Sequence, residues 1–597
     1  MRSPLPSGHA GTPSDGFAPG RSPRDLPLAH GAVASRSHLA PLVAVLASVV
    51  VAPTVVALAS GSFTIARNDA FSYTRIADNL HQTGRLQFIS YGRMELIGHL
   101  LWLQPFLSLF HDRETAGSVA GVVSAAAATV LLLLVCARVV GIGRAVVPLL
   151  VLAVFQGVAT TVPTAMTDFT ALAFDAGALY CAARGLALPG RRCLRWVLPA
   201  FTLAVASFSV REFGIVLVLS VALTLAVARA DVRRPVLALA AATVTVCGAI
   251  YLWHSHQSGL EPSAFRVSPQ TLALTAGGFC TLGLGLLPVT LVHAPRLVAA
   301  CGLRWPLAVG LTAGVGSPVV SALLPGFSLV ATGRKALADD VYTRWGASGR
   351  ALAVGGRPTL FGQWAWVLLN AAACVGSILL GLALAAYITL RLTGRHSPTS
   401  EPLNGRVVLL LETTTGLHLL VVGAFGLVTL FNDRYLWLAA PLLATLLIDA
   451  AEQVRGAAPA IDPGRRTRLF AVCASWLVLA VVALAVAQDS AAYDAARWRG
   501  GTRLVALGLP AAQVDAGLEW VGAHSSAVRN INGHAGRPET LDDPYYEGFW
   551  APTARCGVVY GHPPDPSTFT VAGLVRYRSR LWTTVRTLWL ARRRTCG

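Results

Sequence analysis

Charged residues are scarce in this chain of 597 residues. Asp, Glu, Lys and Arg together make up 13% of it, whereas about 25% is usual in soluble domains. Lysine occurs once, as Lys335. This charged fraction is too small to cover the water-facing surface of a soluble enzyme or of a coiled coil. It is also far below the charged fraction that is typical of a disordered chain. The composition excludes these three classes.

Patterns that hold zinc are absent. The ten cysteines include no CxxC pair and no Cys/His spacing of the kind that zinc requires. Eight of them stand singly in or beside apolar runs, which is typical of small core residues. Cys556 and Cys596 lie in a polar tail, where an oxidising compartment would join them in a disulfide and a reducing one would leave two thiols.

Apolar residues are abundant, with 54% of the chain in the AVILMFWYC set. They gather in segments of the length that crosses a bilayer, which takes about 20 residues. We interpret the first segment as a retained anchor; a cleavable signal peptide is the alternative. The thirteen predicted spans are 39–60, 117–138, 145–162, 168–183, 196–209, 213–228, 235–253, 271–293, 305–324, 364–387, 407–430, 435–450 and 469–487.

The net charge of +19 follows the membrane pattern. Arginines fall mainly between the apolar segments, and every loop on the amino-terminal side of the membrane is basic, as the positive-inside rule requires. This distribution predicts membrane orientation, and we expect no nucleic-acid partner. It places residues 1–37 as a disordered cytoplasmic leader and 38–487 as the transmembrane core. The same distribution predicts that the tail, residues 488–597, is a small extracytoplasmic domain.

The first outer loop, residues 61–116, contains the sharpest local pattern. Asn68 or Asp69 caps a predicted helix whose apolar positions Tyr73, Ala77 and Leu80 share one face, and Gly84 ends it. We expect this helix to lie flat at the membrane interface. Asp69 is then either a structural N-cap or a carboxylate that faces both water and lipid.

A second acidic residue, Asp168, precedes the fourth span at its outer end. Two carboxylates on one membrane face, each at the start of a helix, are suited to deprotonate a nucleophile or to hold a divalent metal such as Mg²⁺ or Mn²⁺. The pair Asp69 and Asp168 is therefore the predicted catalytic and metal site.

The order of the motifs adds a family resemblance. Asn68-Asp69-Ala70-Phe71, Glu95 with His99, Met166-Thr167-Asp168 and Asp433-Arg434-Tyr435 follow one another on the same membrane face. In this respect the chain resembles the C-type (GT-C) glycosyltransferase superfamily, in the branch of protein O-mannosyltransferases and aminoarabinose transferases. The resemblance covers roughly residues 40–450 and implies an all-α polytopic bundle of about thirteen transmembrane helices.

The resemblance also implies an activity: transfer of a sugar from a polyprenyl-phosphate donor to a hydroxyl of a glycan, lipid or protein outside the cytoplasm, with inversion. It matches Asp69 to a catalytic base and Asp168 to an acid that assists or binds metal. Glu95 and His99 match a Glu and a His ahead of an apolar helix, and we group them with Tyr73 as substrate-binding.

Two arginines on the outer side are suited to a lipid phosphate, because a guanidinium group binds two oxygens at once and keeps its charge. Arg434 follows a long apolar span, and Arg211 occupies a similar outer turn. Interface anchoring, or local ion pairs with Asp433 and Glu212, is the alternative for each. The outer loop from Pro325 to Gln363 is either a mobile cover over the substrate or a solvated loop.

A transporter or flippase is the competing function. Glu412 and His418 lie within a predicted span, where ionisable groups often mark function. Glu412 has a structural explanation as the partner of Arg406, and a neutral His418 is satisfied by a neighbouring helix. A proton-coupled transporter would require both residues, whereas a glycosyltransferase would require Asp69 and Asp168.

Overall fold

The computed structural model describes residues 31–86, 97–256, 267–302, 304–323, 363–394, 402–428, 431–455, 465–524, 556–579 and 584–596. Helices dominate these residues. They are α1 (Gly31–Leu46), α2 (Ala52–Ser60), α3 (Ala70–Thr83), α4 (Ile97–Leu109), α5 (Arg113–Val140), α6 (Ile142–Val154), α7 (Gln156–Thr161), α8 (Thr167–Leu186), α9 (Leu194–Val210), α10 (Ile215–Ala228), α11 (Arg233–Ser255), α12 (Pro269–Cys301), α13 (Arg304–Leu323), α14 (Gln363–Leu392), α15 (Pro402–Val428), α16 (Ala439–Arg455), α17 (Arg465–Ala506) and α18 (Leu518–His524).

The helices confirm the predicted fold class of a polytopic all-α membrane protein. Each of the thirteen predicted spans coincides with a helix or with a pair of consecutive helices. By length and composition, nine helices within the described ranges are able to cross a membrane. The other four predicted spans correspond to α6 with α7, α8, α10 and α13. Helix α1 begins at Gly31, inside the segment predicted as a leader, while residues 1–30 lie outside the described part of the chain.

Glycines let the central helices approach one another closely. A Cβ atom on Gly376 of α14 would lie 2.3 Å from the Gly283 carbonyl oxygen of α12, and one on Gly310 of α13 would lie 2.4 Å from that of Gly381. Larger side chains at these positions would push the helices apart. Small residues are the usual means of packing helices inside a membrane, where no hydrophobic effect drives helices together.

Helix α17 connects the membrane core to the carboxy-terminal residues. It runs without interruption through position 487, where the sequence analysis placed the boundary of the tail. Its 42 residues give a length of about 63 Å, roughly twice the hydrocarbon thickness of a bilayer. The helix is therefore long enough to span the membrane and still project well beyond it.

The tail forms a small module beside the end of α17. Its strands are β1 (Val514–Asp515), β2 (Gly557–Tyr560), β3 (Phe569–Ser579) and β4 (Thr584–Arg593), in the order β1-β2-β4-β3. Strand β1 is parallel to β2, and the other neighbours are antiparallel. Tyr493 of α17 and Tyr577 of β3 belong to one buried apolar cluster, so the sheet packs directly against the helix.

A disulfide joins Cys556 to Cys596, which resolves the alternative that the sequence left open. We predict that maleimide labels eight cysteines per chain in unreduced, denatured protein and ten after reduction, because eight thiols are free. Closing a loop of 40 residues stabilises the module by about 4 kcal/mol in the chain-entropy description. Labelling of ten cysteines before reduction, read by mass spectrometry, would contradict the bond.

Candidate functional site

Asp69 lies at the start of helix α3. The helix spans Ala70–Thr83 with Asp69 at its N-cap, and Gly84 ends it in the left-handed conformation, so the predicted helix is confirmed at both ends. The side chain of Asp69 makes no capping hydrogen bond. An N-cap side chain stabilises a helix through that bond.

The surroundings of α3 differ from the expected interface helix. Phe71 and Ile76 are buried, and they belong to an apolar cluster with residues of α4, α5 and α18. The helix is thus enclosed by protein on several sides. The sequence could not show this, because the covering residues come from α18, more than 400 positions later in the chain.

Asp168 is positioned by a turn that rests on α5. Gly117 and Gly121 lie on one face of α5, and a Cβ atom on Gly121 would be 2.1 Å from the Thr164 carbonyl oxygen. Ser118 on the same helix donates a hydrogen bond to the Pro163 carbonyl at 3.2 Å. This contact fixes the chain just before α8, whose first turn contains Asp168.

His99 holds the same turn from the other side. Its Nε2 lies 2.9 Å from the carbonyl oxygen of Ala165, so this nitrogen donates. Burial lowers the pKa of His99 to about 4, and the ring is therefore neutral at physiological pH. The ring of Tyr73 packs edge-on against it, with centroids 5.6 Å apart. His99 thus links α3 to the residues that precede Asp168.

Two arginines converge on Asp168. Arg211 Nη2 lies 3.0 Å from Asp168 Oδ1, and Arg434 Nε lies 3.7 Å from the same oxygen. Arg211 also donates from Nε to the Thr167 hydroxyl at 2.8 Å. All three ionic side chains are at most 8% exposed. In this cluster around Asp168, two guanidinium groups therefore meet one carboxylate, and a second carboxyl group, that of Asp175, lines the pocket beside it.

Arg211 and Arg434 both contact Asp168, a partner on another helix. Arg211 also interacts electrostatically with its sequence neighbour Glu212. Arg211 follows α9 in extended conformation, and Arg434 lies in a 3₁₀ turn between α15 and α16. Each break in helical geometry turns the side chain toward α8.

A pocket of about 40 Å³ opens beside the cluster and is lined by Asp168, Arg211 and Arg434. That volume holds about three water-sized groups. Asp168 Oδ2 is buried and has no hydrogen-bond partner within the described residues. Buried polar atoms are nearly always hydrogen-bonded in native proteins, so this oxygen indicates a place for a ligand.

The pocket continues inward past residues that the sequence analysis did not assign to the site. Asp175 lies two turns after Asp168 on α8 and accepts a hydrogen bond of 2.5 Å from Ser207. His418 and Trp437 line the same pocket, and His418 Nδ1 and Trp437 Nε1 are further buried atoms with no partner in the described structure. An acidic residue inside an apolar helix was the signal that could have identified Asp175.

The structure brings together most of the predicted site. Tyr73 lies close enough to Arg211 for an electrostatic interaction, and His99 interacts in the same way with Arg211 and Asp168. Asp69 lies four residues before Tyr73, so the two positions share one side of α3. Glu95, the loop 325–362 and the tail residues 525–555 lie outside the described part of the chain.

Asp168 is poorly suited to the divalent metal suggested by the sequence. Two guanidinium groups already neutralise its carboxylate, and they would repel a cation placed there. In the ranges that the structure covers, no group of three or more His, Cys, Asp or Glu side chains is arranged around a common centre.

Glu412 is an ion-pair partner within the helix bundle. Arg391 donates to it from Nε and Nη2, both at 2.6 Å, and Tyr387 donates a third hydrogen bond. The expected partner, Arg406, is not the residue that holds it. The other residue of the transporter alternative, His418, is satisfied by a neighbouring element: its Nε2 donates to the Tyr435 carbonyl at 2.7 Å.

We predict that Glu412→Gln lowers the free energy of unfolding by about 1–3 kcal/mol, because it weakens charge-assisted hydrogen bonds. Activity per folded molecule should remain unchanged. Thermal unfolding in detergent and an activity assay in membranes measure the two effects, and Arg144→Gln, which breaks an exposed pair with Glu452, is the matched control. Loss of function with unchanged stability would instead favour proton-coupled transport.

No family model matches the chain, and no curated protein matches it. Among solved structures, oligosaccharyltransferase AglB from Archaeoglobus fulgidus, in complex with an inhibitory peptide and a dolichol-phosphate, is similar over 79% of this chain (14% identity, TM-score 0.39). This chain spans only 58% of AglB.

ArnT from Cupriavidus metallidurans in the apo state is similar over 94% of this chain and 98% of its own (14% identity, TM-score 0.40). ArnT bound to undecaprenyl phosphate is similar over 72% of this chain and 78% of its own (12% identity, TM-score 0.30). At these identities and TM-scores the likenesses assign no role to any residue.

Proposed function

We propose that this protein transfers a sugar from a polyprenyl-phosphate donor to a hydroxyl group outside the cytoplasm. The observation that carries the proposal is the cluster in which two arginines, Arg211 and Arg434, meet the Asp168 carboxylate inside an apolar helix bundle. Such a cluster suits an anion that enters from the membrane. A phosphate attached to a polyprenyl chain has the required charge and the required lipid solubility.

Each part of the pocket has a role in this proposal. Arg211 and Arg434 bind the phosphate, and Asp168 orients the two guanidinium groups and prevents them from repelling each other. Asp175, His418 and Trp437 offer acceptors and a donor to sugar hydroxyls. A pocket with room for about three water-sized groups accommodates the hydroxyl-bearing edge of a sugar ring.

The reaction requires a base, for which we propose Asp69. The acceptor oxygen attacks the anomeric carbon from the face opposite the phosphate, and its proton passes to the Asp69 carboxylate. The bond between the anomeric carbon and the phosphate oxygen breaks, and the polyprenyl phosphate leaves with its charge held by Arg211 and Arg434. One displacement inverts the anomeric configuration. Positioning of the three groups supplies much of the rate.

We place the amino terminus in the cytoplasm and the tail outside it. The basic loops support this orientation through the positive-inside rule, and the disulfide between Cys556 and Cys596 suits an oxidising compartment. Nucleotide sugars are confined to the cytoplasm, so a site on the outer side implies a lipid-linked donor. The acceptor is then a component of the cell envelope: a glycan, a lipid or a protein.

Analysis of a strain that lacks the protein tests the proposed function. We expect its membranes to accumulate one polyprenyl-phosphate sugar and its envelope to lack the same sugar on one glycan, lipid or protein. Mass spectrometry of extracted lipids and of released glycans measures both. Restoration by the wild-type gene is the control. Normal levels of every polyprenyl-phosphate sugar, together with an unchanged envelope, would contradict the proposal.

A further inference from the structure

The backbone that leads into α3 has an unusual conformation at Asn68. Its φ is 53°, and it is the one non-glycine residue with positive φ in the part of the chain that the structure describes. Side chains rarely adopt this left-handed region, and such residues persist where their surroundings hold them. Asn68 directly precedes Asp69, so whatever holds Asn68 also directs Asp69.

The contacts that hold this backbone come from the other end of the chain. The Asn68 backbone N–H donates to Glu519 Oε1 of α18 at 3.2 Å. One residue earlier, Arg67 donates from Nε to Asp494 Oδ2 of α17 at 3.0 Å and from Nη2 to the Ser490 hydroxyl at 3.2 Å. Both residues that precede Asp69 are thus bound to the carboxy-terminal part of the protein.

Arg497 closes these contacts into one network. Its Nη2 donates to Asp494 Oδ1 at 2.8 Å and to Glu519 Oε2 at 2.9 Å. We call Arg67, Asp494, Arg497 and Glu519 the buried ion network, and each of its members is at most 6% exposed. Its charges alternate and sum to zero. Buried ion pairs are weak evidence for stability because desolvation offsets their attraction, and their best-attested role is to fix one arrangement of elements.

Close packing keeps the module in place on the following turn of α3. A Cβ atom on Gly522 would lie 2.2 Å from the ring of Phe71, and Arg75 donates a hydrogen bond to the Gly522 carbonyl. Gly517 has a φ of 101°, and a Cβ atom there would lie 1.6 Å from Arg497 Nη1. The carboxy-terminal residues therefore contact the chain both before and after Asp69.

We propose that the buried ion network is a positioning device through which the carboxy-terminal module aims the Asp69 carboxylate at the reacting sugar. This inference rests on the proposed function, in which Asp69 is the base. Glu519 acts by holding the Asn68 N–H, and Arg67 with Asp494 anchors the preceding residue. None of the four side chains touches the substrate. Their effect reaches the reaction only through the direction of Asp69.

The test compares Glu519→Leu with Glu519→Gln in the full-length protein, assayed in membranes with the native pool of polyprenyl-phosphate sugars. Glu519→Leu removes the acceptor for the Asn68 N–H, and we expect about a 10- to 100-fold lower kcat with donor KM changed less than about threefold. Glu519→Gln keeps an oxygen for this N–H and should recover most of the rate. Arg503→Gln, which removes a contact between α17 and Leu574 of β3, is the control and should leave kcat unchanged.

A double variant separates positioning from general loss of structure. The residual rate of Asp69→Asn is followed over long incubations, and adding Glu519→Leu should not lower this rate further. The effects of two replacements that act through the same group are not additive. Hydrogen exchange of residues 66–74 should be faster in Glu519→Leu even if the variant is too unstable for kinetics. Equal fold-losses from Glu519→Leu in the wild type and in Asp69→Asn, or an unchanged kcat with unchanged exchange, would overturn the inference. Full activity of Asp69→Asn alone would overturn the proposed function instead.

Discussion

Asp69→Asn should reduce sugar transfer by about 10²- to 10⁴-fold, the usual contribution of a general base. Asparagine has nearly the same size and is an equally good N-cap residue, but its amide does not accept a proton. Because the replacement keeps the size of the side chain and its preference for the N-cap, the free energy of unfolding should change by less than about 1 kcal/mol. Rates are measured in membranes with the native donor pool, and stability by thermal unfolding in detergent.

Asp78→Asn is the matched control for this prediction. Asp78 lies on the same helix and is partly exposed, with one carboxylate oxygen 3.9 Å from Arg113. Its replacement should leave both rate and stability close to those of the wild type. Asp69→Glu, which moves the carboxylate outward by one methylene, should retain part of the activity. Wild-type activity in Asp69→Asn would contradict the proposed function, in which Asp69 is the base.

Arg211→Leu should produce the second large effect, a loss of both donor binding and stability. It removes the nearer cation from the buried Asp168 carboxylate, and breaking one side of a buried pair costs about 3–5 kcal/mol. It also removes one of the two groups proposed to bind phosphate. Affinity for decaprenyl phosphate, measured on the purified protein in detergent, should fall at least about 10-fold, which corresponds to 1.4 kcal/mol.

A double replacement separates the two effects of Arg211. Asp168→Asn combined with Arg211→Leu removes both members of the ion pair, so much of the lost stability should return while phosphate binding should not. Arg229→Leu is the control, because the Arg229 side chain is equally buried but does not line the pocket. It pairs with Asp231 at a distance of 2.8 Å. The replacement should lower stability without changing decaprenyl phosphate affinity. Unchanged affinity in Arg211→Leu would exclude this residue from the phosphate site.

Local sequence patterns predicted the elements of the site well. The helix after Asp69 begins and ends where its N-cap residue and Gly84 place it, and all thirteen apolar segments are helical. Helix ends depend on the residues next to them, and span length depends on bilayer thickness. Both are properties of short stretches of chain, so a single sequence is enough to read them.

Patterns of short range were misleading where the partner lies far away in the chain. Arg211 and Arg434 stand beside acidic residues in the sequence, yet both contact Asp168. Glu412 is held by Arg391 of the preceding helix instead of Arg406. In each case the contact is made between packed helices that local sequence does not relate.

The sequence alone determined that this is a polytopic helical protein with acidic residues at the starts of two helices. The features that determined it are the apolar composition, the basic loops and the helix-capping residues. Only the tertiary structure showed that Asp168 is engaged by two arginines, that Asp175 and His418 line the same pocket, and that Glu519 holds the backbone before Asp69. The physical reason is that hydropathy and capping act over a few residues. The charged side chains of the site instead contact partners that lie tens to hundreds of positions away in the chain. A pattern of neighbouring residues does not show such contacts.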